Sequence, residues 1–320
     1  MKAIWVTELG GPEVLQLEDL PVPEPQPDEI LVRIEAIGVN PVDTYIRAGY
    51  QGYDPKVPYT PGFDAAGVVE KTGASVLGIH AGERVYLSGS VTGTYAEYAL
   101  CKENQIHPLP DHVSFAEGAG IYVAYVTAYR GLIQRAEARP AQTLLVHGAS
   151  GAVGIATLQI ARNLGMRVLA TAGTEAGRQL VKSQRADQVM DHADPGHFDQ
   201  ILDATDGLGV DVIMEMMAHV NLDNDLRILA PQGKVVIVGN RDSIEINPRD
   251  AMACDAAILG MSLMNIRPEE EKEIHAAIGA GLCSRVLKPV IRCEMPLERA
   301  AEAHRLVMEP GACGKIILKP

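Results

Sequence analysis

Aromatic rings and basic side chains are scarce in this chain, and each shortage closes off a class of function. Aromatic residues make up 4% of the sequence, and 28 Lys and Arg face 41 Asp and Glu, for a formal charge of −13. A surface that acidic disfavours nonspecific attraction to nucleic acid or anionic lipid. No basic stripe with interleaved aromatics is present, so no nucleic-acid partner is expected. Cysteine is sparse too: Cys101, Cys254, Cys283, Cys293 and Cys313 are scattered without a C-x-x-C pair. That pattern excludes a disulfide framework and a thiolate zinc site. No apolar run approaches the roughly 20 residues of a membrane span. The opening Met1-Lys2-Ala3-Ile4-Trp5 turns polar at once, unlike a signal peptide, so cytoplasmic residence is the default expectation. What is present, 320 residues with 47% hydrophobic and 22% charged side chains, suits two globular domains with sizeable cores.

The most informative segment is Gly148-Ala149-Ser150-Gly151-Ala152-Val153-Gly154. It lies between the apolar run Thr143–His147 and a helix-like stretch from Ala156 to Leu164. A buried strand, a tight glycine turn and a helix N-terminus in that order form a pyrophosphate cradle. Small residues let the backbone approach the phosphates, and free N–H groups with the helix dipole favour the negative charge. The spacing is G-x-x-G-x-x-G, so the context carries the reading more than the string does. The blander alternative is a close strand–helix turn with no ligand.

The two parts of the chain differ in texture. Over the first ~120 residues short strands alternate with turns. Val32, Ile34 and Ala36 face one way and Arg33 and Glu35 the other, the period of a half-buried strand. Further strands are expected at 67–70 and 84–87, and the prolines between Pro21 and Pro27 force irregular structure. A small, partly open β-barrel is the natural reading. From about Ile121, apolar runs at 144–147, 167–170, 210–214 and 234–238 are each followed by a turn and a helical segment. That alternation predicts a parallel sheet covered by helices on both faces. A helix over 269–282, a second over 297–308 and a strand at 315–319 close the chain, which is read as returning to the first domain.

Several segments match one family in order: Gly38-Val39-Asn40-Pro41-Val42-Asp43-Thr44-Tyr45-Ile46-Arg47, Pro58-Tyr59-Thr60-Pro61-Gly62, Val146-His147-Gly148-Ala149-Ser150-Gly151, Thr171-Ala172-Gly173-Thr174-Glu175 and Ile244-Glu245-Ile246-Asn247-Pro248-Arg249. On these the chain resembles the zinc-independent medium-chain dehydrogenase/reductases, and among them the zeta-crystallin-like NADPH:quinone oxidoreductases. The resemblance implies an α/β fold: a Rossmann-type doubly wound parallel sheet plus a GroES-like, partly open β-barrel catalytic domain holding both termini. On this reading residues 1–120 and 264–320 form the catalytic domain and 121–263 the NADPH-binding domain.

Zinc-dependent relatives carry a cysteine at the position of Asn40 and Gly-His-Glu at Gly62-Phe63-Asp64, and the cysteine-rich structural-zinc loop has no counterpart here. With Cys and His both replaced, an open tetrahedral site cannot be assembled at that place, and no metal is expected. Reduction without a Lewis acid favours acceptors that delocalise their own charge, namely quinones and conjugated enones. The expected reaction is reduction of a quinone by NADPH in a water-poor cleft, by hydride or by single electrons, with catalysis coming mostly from positioning. The alternative within enzymes is NADPH-dependent reduction of a 2-alkenal or enone, which needs a proton donor beside the α-carbon. A non-enzymatic crystallin-like or RNA-binding role is the reading from another class.

The acid that usually binds the ribose is missing where the strand 168–172 runs into Gly173 and Thr174. Glu175 would serve an NAD reading. NADPH is preferred, with the 2′-phosphate assigned to Arg178, whose fork suits a dianion, and by resemblance to His192. The bland alternatives are a solvated helix face for Arg178 and an ordinary loop histidine for His192. The resemblance further implies that Asn40, with Pro41, contacts the nicotinamide ribose or the substrate and that Thr127 faces the ring. Tyr45 lines the quinone pocket and is one source of the proton, or else is an aromatic wedge. Ser150, Gly151, Ala152 and Val153 cradle the pyrophosphate, Gly239 and Asn240 lie along the cofactor, and Met264 reaches the carboxamide. Lys315 is read as a surface charge on the last strand. Apolar strands at 234–239 and 256–261 are expected at a sheet edge that pairs across a two-fold, giving a homodimer or a tetramer.

Overall fold

The computed structural model describes all 320 residues, the side chain of Gln51 excepted. The chain forms two compact units. The first comprises Met1–Val123, Pro289–Glu309 and Gly314–Pro320, and the second Ala124–Lys288 and Pro310–Cys313. The chain does leave one unit, build the other and return. The return falls at Pro289, later than the residue 264 read from the sequence, because the helix Pro268–Cys283 belongs to the second unit. There it buries Ile274, Ile278 and Leu282 on one face, and Gln134 and Arg130 donate hydrogen bonds to the carbonyls of Glu270 and Asn265.

The first unit opens with β1 (Lys2–Trp5) antiparallel to β2 (Gln16–Asp19). Its main sheet uses β3 (Glu29–Val39), β4 (Asp64–Thr72), β5 (Arg84–Ser88), β6 (Tyr98–Lys102) and β7 (Ile106–Pro108). β3 is the centre, antiparallel to both β4 and β6. Val32, Ile34 and Ala36 are at most 4% exposed, while Arg33 and Glu35 on the other face are half-buried and pair with each other. The core gathers Ile4, Val32, Ile37, Val85, Leu87 and Leu318. Each such side chain stabilises the unit by ~1.5–3 kcal/mol relative to exposure.

The second unit carries β8 (Thr143–Val146), β9 (Arg167–Thr171), β10 (Gln188–Met190), β11 (Val210–Glu215), β12 (Leu229–Ile237) and β13 (Ala257–Gly260). All neighbours are parallel, in the order β10-β9-β8-β11-β12-β13. Numbered within the unit this is 3-2-1-4-5-6, the doubly wound order of dinucleotide-binding sheets, and its order reverses between β8 and β11. β13 is the edge; β12, expected there as well, lies one strand in. The returning β14 (Ile291–Pro296) and β15 (Lys315–Lys319) complete the first unit's sheet, with β15 antiparallel to β3.

Candidate cofactor and active-site residues

In the second unit the glycine turn follows β8 and opens the helix Ala152–Leu164. Gly148 has φ +59°, a left-handed conformation that side chains disfavour. At Gly154 a Cβ would come within 2.5 Å of the Cα of Ala149 and 2.6 Å of its carbonyl oxygen, so only glycine lets the helix pass this close to the turn. The first N–H groups of the helix have no intrahelical acceptor and are available to an anion. Ser150, Gly151, Ala152 and Val153 stand at that N-terminus. The cradle therefore fits a dinucleotide pyrophosphate.

The other expected contacts follow the carboxyl ends of neighbouring parallel strands, which lie on one edge of the sheet. After β9, Gly173 faces His192: a Cβ there would lie 2.3 Å from His192 Nε2. Thr174 caps the next helix, its Oγ1 accepting from Gly177 N at 3.0 Å. Arg178 is engaged already, with Nη2 2.9 Å from Glu175 and Nη1 2.6 Å from Asp191. A 2′-phosphate at Arg178 would thus compete with two carboxylates. After β12, Gly239 lies against Met216 O (2.3 Å from a built Cβ), and Asn240 Nδ2 donates to Asp242 O at 2.7 Å on the exposed side. Met264, after β13, is 59% exposed. Thr127 is buried between two π-helical turns, Tyr122–Val126 and Arg130–Arg135, a helix distortion often found at functional positions.

Beneath the glycine turn lies a buried cluster that sequence reasoning missed. Burial holds the His147 imidazole below its ordinary pKa, so the ring is neutral and its Nε2–H donates to Asp225 Oδ1 at 2.9 Å. Glu215, at the end of β11, lies 3.7 Å from the same nitrogen. Burial pushes Glu215 and Asp225 each up to about 7. Met217 N and Asn221 Nδ2 donate to Glu215, and Thr171 Oγ1, 3.4 Å from His147 Nδ1, accepts from Gly148 N at 3.2 Å. The cluster thereby supports the turn. The histidine within the apolar run 143–147 was its only sequence signal.

In the first unit Asn40 caps the helix Pro41–Ala48, and its backbone N–H donates to Asp43 Oδ2 at 2.9 Å. Its side chain is 3% exposed and faces Asp64 and Lys315. Lys315 Nζ donates to Asn40 Oδ1 (2.5 Å) and to Asp64, and Asn40 Nδ2 donates to Asp64 Oδ2 at 3.1 Å. Lys315 is 3% exposed, which overturns the surface-charge reading: β15 lies between β14 and β3, and its first residue points inward to a carboxylate. A second chain of bonds runs from Asp43. Tyr95 OH donates to Asp43 Oδ2 at 3.0 Å, His304 Nε2 contacts that hydroxyl at 3.1 Å, and Arg47 Nη1 donates to His304 Nδ1 at 3.1 Å. Burial and the Arg47 charge bring His304 down to about 3, leaving it neutral, and burial lifts Asp43 to about 7.

Tyr45 tilts against Tyr50 with ring centroids 5.9 Å apart, and Pro41 is exposed. Of the tyrosines in the following loop, Tyr50 is 41% exposed, while Tyr59 lines a cavity of about 710 Å³ with Trp5, Ile46, Phe63, Asp43 and Pro58. Neither Asn40 nor Tyr45 lines this cavity.

Comparison with known proteins matches residues 26–111 to the alcohol dehydrogenase GroES-like domain and residues 152–279 to the zinc-binding dehydrogenase domain. The quinone oxidoreductase of Rattus norvegicus is 47% identical over 99% of this chain and 97% of its own length. That of Homo sapiens is 45% identical with the same coverage. The Escherichia coli quinone oxidoreductase, solved with NADPH, superposes with a TM-score of 0.89 at 28% identity over the full length of both chains. An NAD-dependent alcohol dehydrogenase reaches 0.93 at 29% over the same extent, so the fold by itself does not select the cofactor. With a GroES-like unit, a dinucleotide-ordered sheet and near-half identity end to end, the chain belongs to the quinone oxidoreductases of the medium-chain dehydrogenase/reductase family.

Proposed function

We propose that this protein is an NADPH-dependent quinone reductase that works without a bound metal. The observation that carries this is the full-length identity of 45–47% to quinone oxidoreductases, joined to a cradle that only glycine at 154 leaves open. Bound NADPH supplies the hydride equivalent. Ser150 to Val153 hold the pyrophosphate by backbone N–H groups, Gly173 and Thr174 line the adenosine ribose, and Arg178 and His192 take the 2′-phosphate. Gly239, Asn240 and Met264 are assigned to the nicotinamide half, with Thr127 against the ring.

Asn40 is assigned to the reacting end. One of its amide hydrogens goes to Asp64, and the other has only Gly38 O at 3.5 Å, so it remains a donor for an oxygen that gains charge. Tyr45 stacks on the quinone and lends its hydroxyl. At the position of a metal-ligating histidine in zinc-dependent relatives stands Phe63, which offers no ligand atom. The edge strand β13, with Ile258 39% exposed, suits pairing with a second copy, so a homodimer is the assembly we assign. Five free cysteines accord with a reducing, cytoplasmic setting.

The test follows NADPH oxidation at 340 nm with 1,4-benzoquinone or 9,10-phenanthrenequinone, beside NADH and a 2-alkenal. Quinone-dependent oxidation of NADPH, slower with NADH, is expected. Turnover of the alkenal alone would replace the quinone reading by enone reduction, and a preference for NADH would move the ribose contact to Glu175.

A further inference from the structure

Lys315 is the buried cation of the first unit's Asn40–Asp64 group, and nothing in the proposed reaction yet uses it. Ion pairs sealed from water gain little stability over apolar replacements, so stability alone gives weak reason for one here. Its stem is closely packed: a Cβ on Gly38 would lie 2.7 Å from Lys315 Cε, as well as 2.0 Å from the Ala119 carbonyl oxygen. The ammonium has three donors, two of which bond to Asn40 Oδ1 and Asp64. Asp64 Oδ1 also accepts from Val123 N at 2.8 Å, so one carboxylate ties Asn40, Lys315 and the Val123 backbone.

An asparagine amide presents oxygen at one end and hydrogen at the other, and the two ends are nearly isosteric. Lys315 decides which is which at Asn40. A cation at Oδ1 and an anion at Nδ2 permit one orientation only, with nitrogen towards Asp64 and oxygen towards Lys315. The positive charge at Oδ1 also draws electron density from the amide, so the remaining N–H becomes a stronger donor. We propose that Lys315 is a positioning residue for quinone reduction: it fixes and polarises the Asn40 amide so that the hydrogen held only by the long bond to Gly38 O turns to the acceptor oxygen that becomes negative. The proposal rests on the assignment of Asn40 to the reacting end.

The test is a mutant cycle that keeps buried charge balanced. K315M combined with D64N removes both charges together, and the pair is made in the wild-type and the N40A backgrounds. Folding is followed by thermal unfolding, and kcat and KM are measured for a series of quinones of falling reduction potential. The expected result is a loss of kcat of at least tenfold for K315M/D64N in the wild-type background, with KM for NADPH changed less. The loss should be largest for the poorest acceptor and should disappear in the N40A background.

A wild-type kcat for K315M/D64N, with N40A impaired, overturns the role of Lys315 and leaves that of Asn40. An unimpaired N40A overturns the Asn40 assignment, and the proposal with it. Equal losses in both backgrounds mean that Lys315 acts by another route, which also overturns it. Should the double variant fail to fold, K315Q, which keeps a neutral donor, is carried through the same cycle with the same readings.

Discussion

Each unit buries carboxyl groups, and two of these clusters, that of Asp64 in the first unit and that of Glu215 and Asp225 in the second, are neutralised differently. In the first unit Asp64 has an ammonium beside it, that of Lys315, and the group is held as an ion pair and amide. In the second unit the partner of Glu215 and Asp225 is a neutral histidine, and both carboxyls rise to about 7. A buried anion needs either a cation or a proton. A cation fixes direction, because it holds one particular oxygen. A proton gives shape without charge, which suits a cluster that supports a turn through Thr171 and Gly148.

The largest effect that would sharpen this contrast is K315M alone. It strands Asp64 with no counter-ion, and a loss of ~3–5 kcal/mol in unfolding free energy is expected, most of it regained on adding D64N. Denaturant midpoints measure both. D225N in the second unit should be much milder, ~1 kcal/mol near pH 6, since the carboxyl it replaces is largely protonated there. Equal damage from the two substitutions would erase the distinction.

G154A tests the cradle instead of the clusters. The new methyl overlaps backbone at Ala149, and a cost of ~1–3 kcal/mol with weakened NADPH binding is expected from unfolding and fluorescence titration.

Protonation gives a smaller, signed effect. An acid whose folded pKa is raised contributes stability that is fully present below its unfolded pKa and lost as pH rises through the folded value. For Asp225 that window runs from 3.8 to about 7. The stability of the wild type relative to D225N should therefore fall as pH rises across this window, and a flat difference would contradict a buried, protonated Asp225. The neutral His147 works in the opposite sense, penalising the fold as pH falls below its ordinary value of 6.5. The smallest effect is D191N. Freeing Arg178 Nη1 from a carboxylate 2.6 Å away should raise the NADPH-over-NADH preference a few-fold in kcat/KM.

Much of this was legible in the sequence where local pattern decides the outcome. The period of two around Val32, the alternation of strand and helix after residue 143, and the spacing of small residues from Gly148 to Gly154 each reflect a local backbone requirement. What stayed hidden was long-range. Lys315 and Asn40 are separated by 275 positions, and nothing beside Lys315 says that β15 turns it inward onto Asp64. Glu215 and Asp225 look like ordinary acids at a strand end and a helix end until the fold buries them beside His147. Nothing beside Arg178 in the sequence says that Asp191 is set against its fork. The end of the nucleotide unit was misplaced for a related reason: Ile274, Ile278 and Leu282 announce an amphipathic helix, but not which core it joins.

Single-turnover kinetics can decide whether NADPH passes its hydride to a quinone without a metal. Protein dialysed against chelator and mixed with NADPH deuterated at the transferring C4 position should oxidise it on adding 1,4-benzoquinone. An undiminished rate after chelation and a primary isotope effect on that step are expected. A rate that vanishes on chelation and returns with added zinc, or a cofactor that binds and is never oxidised by quinone, would contradict metal-free transfer.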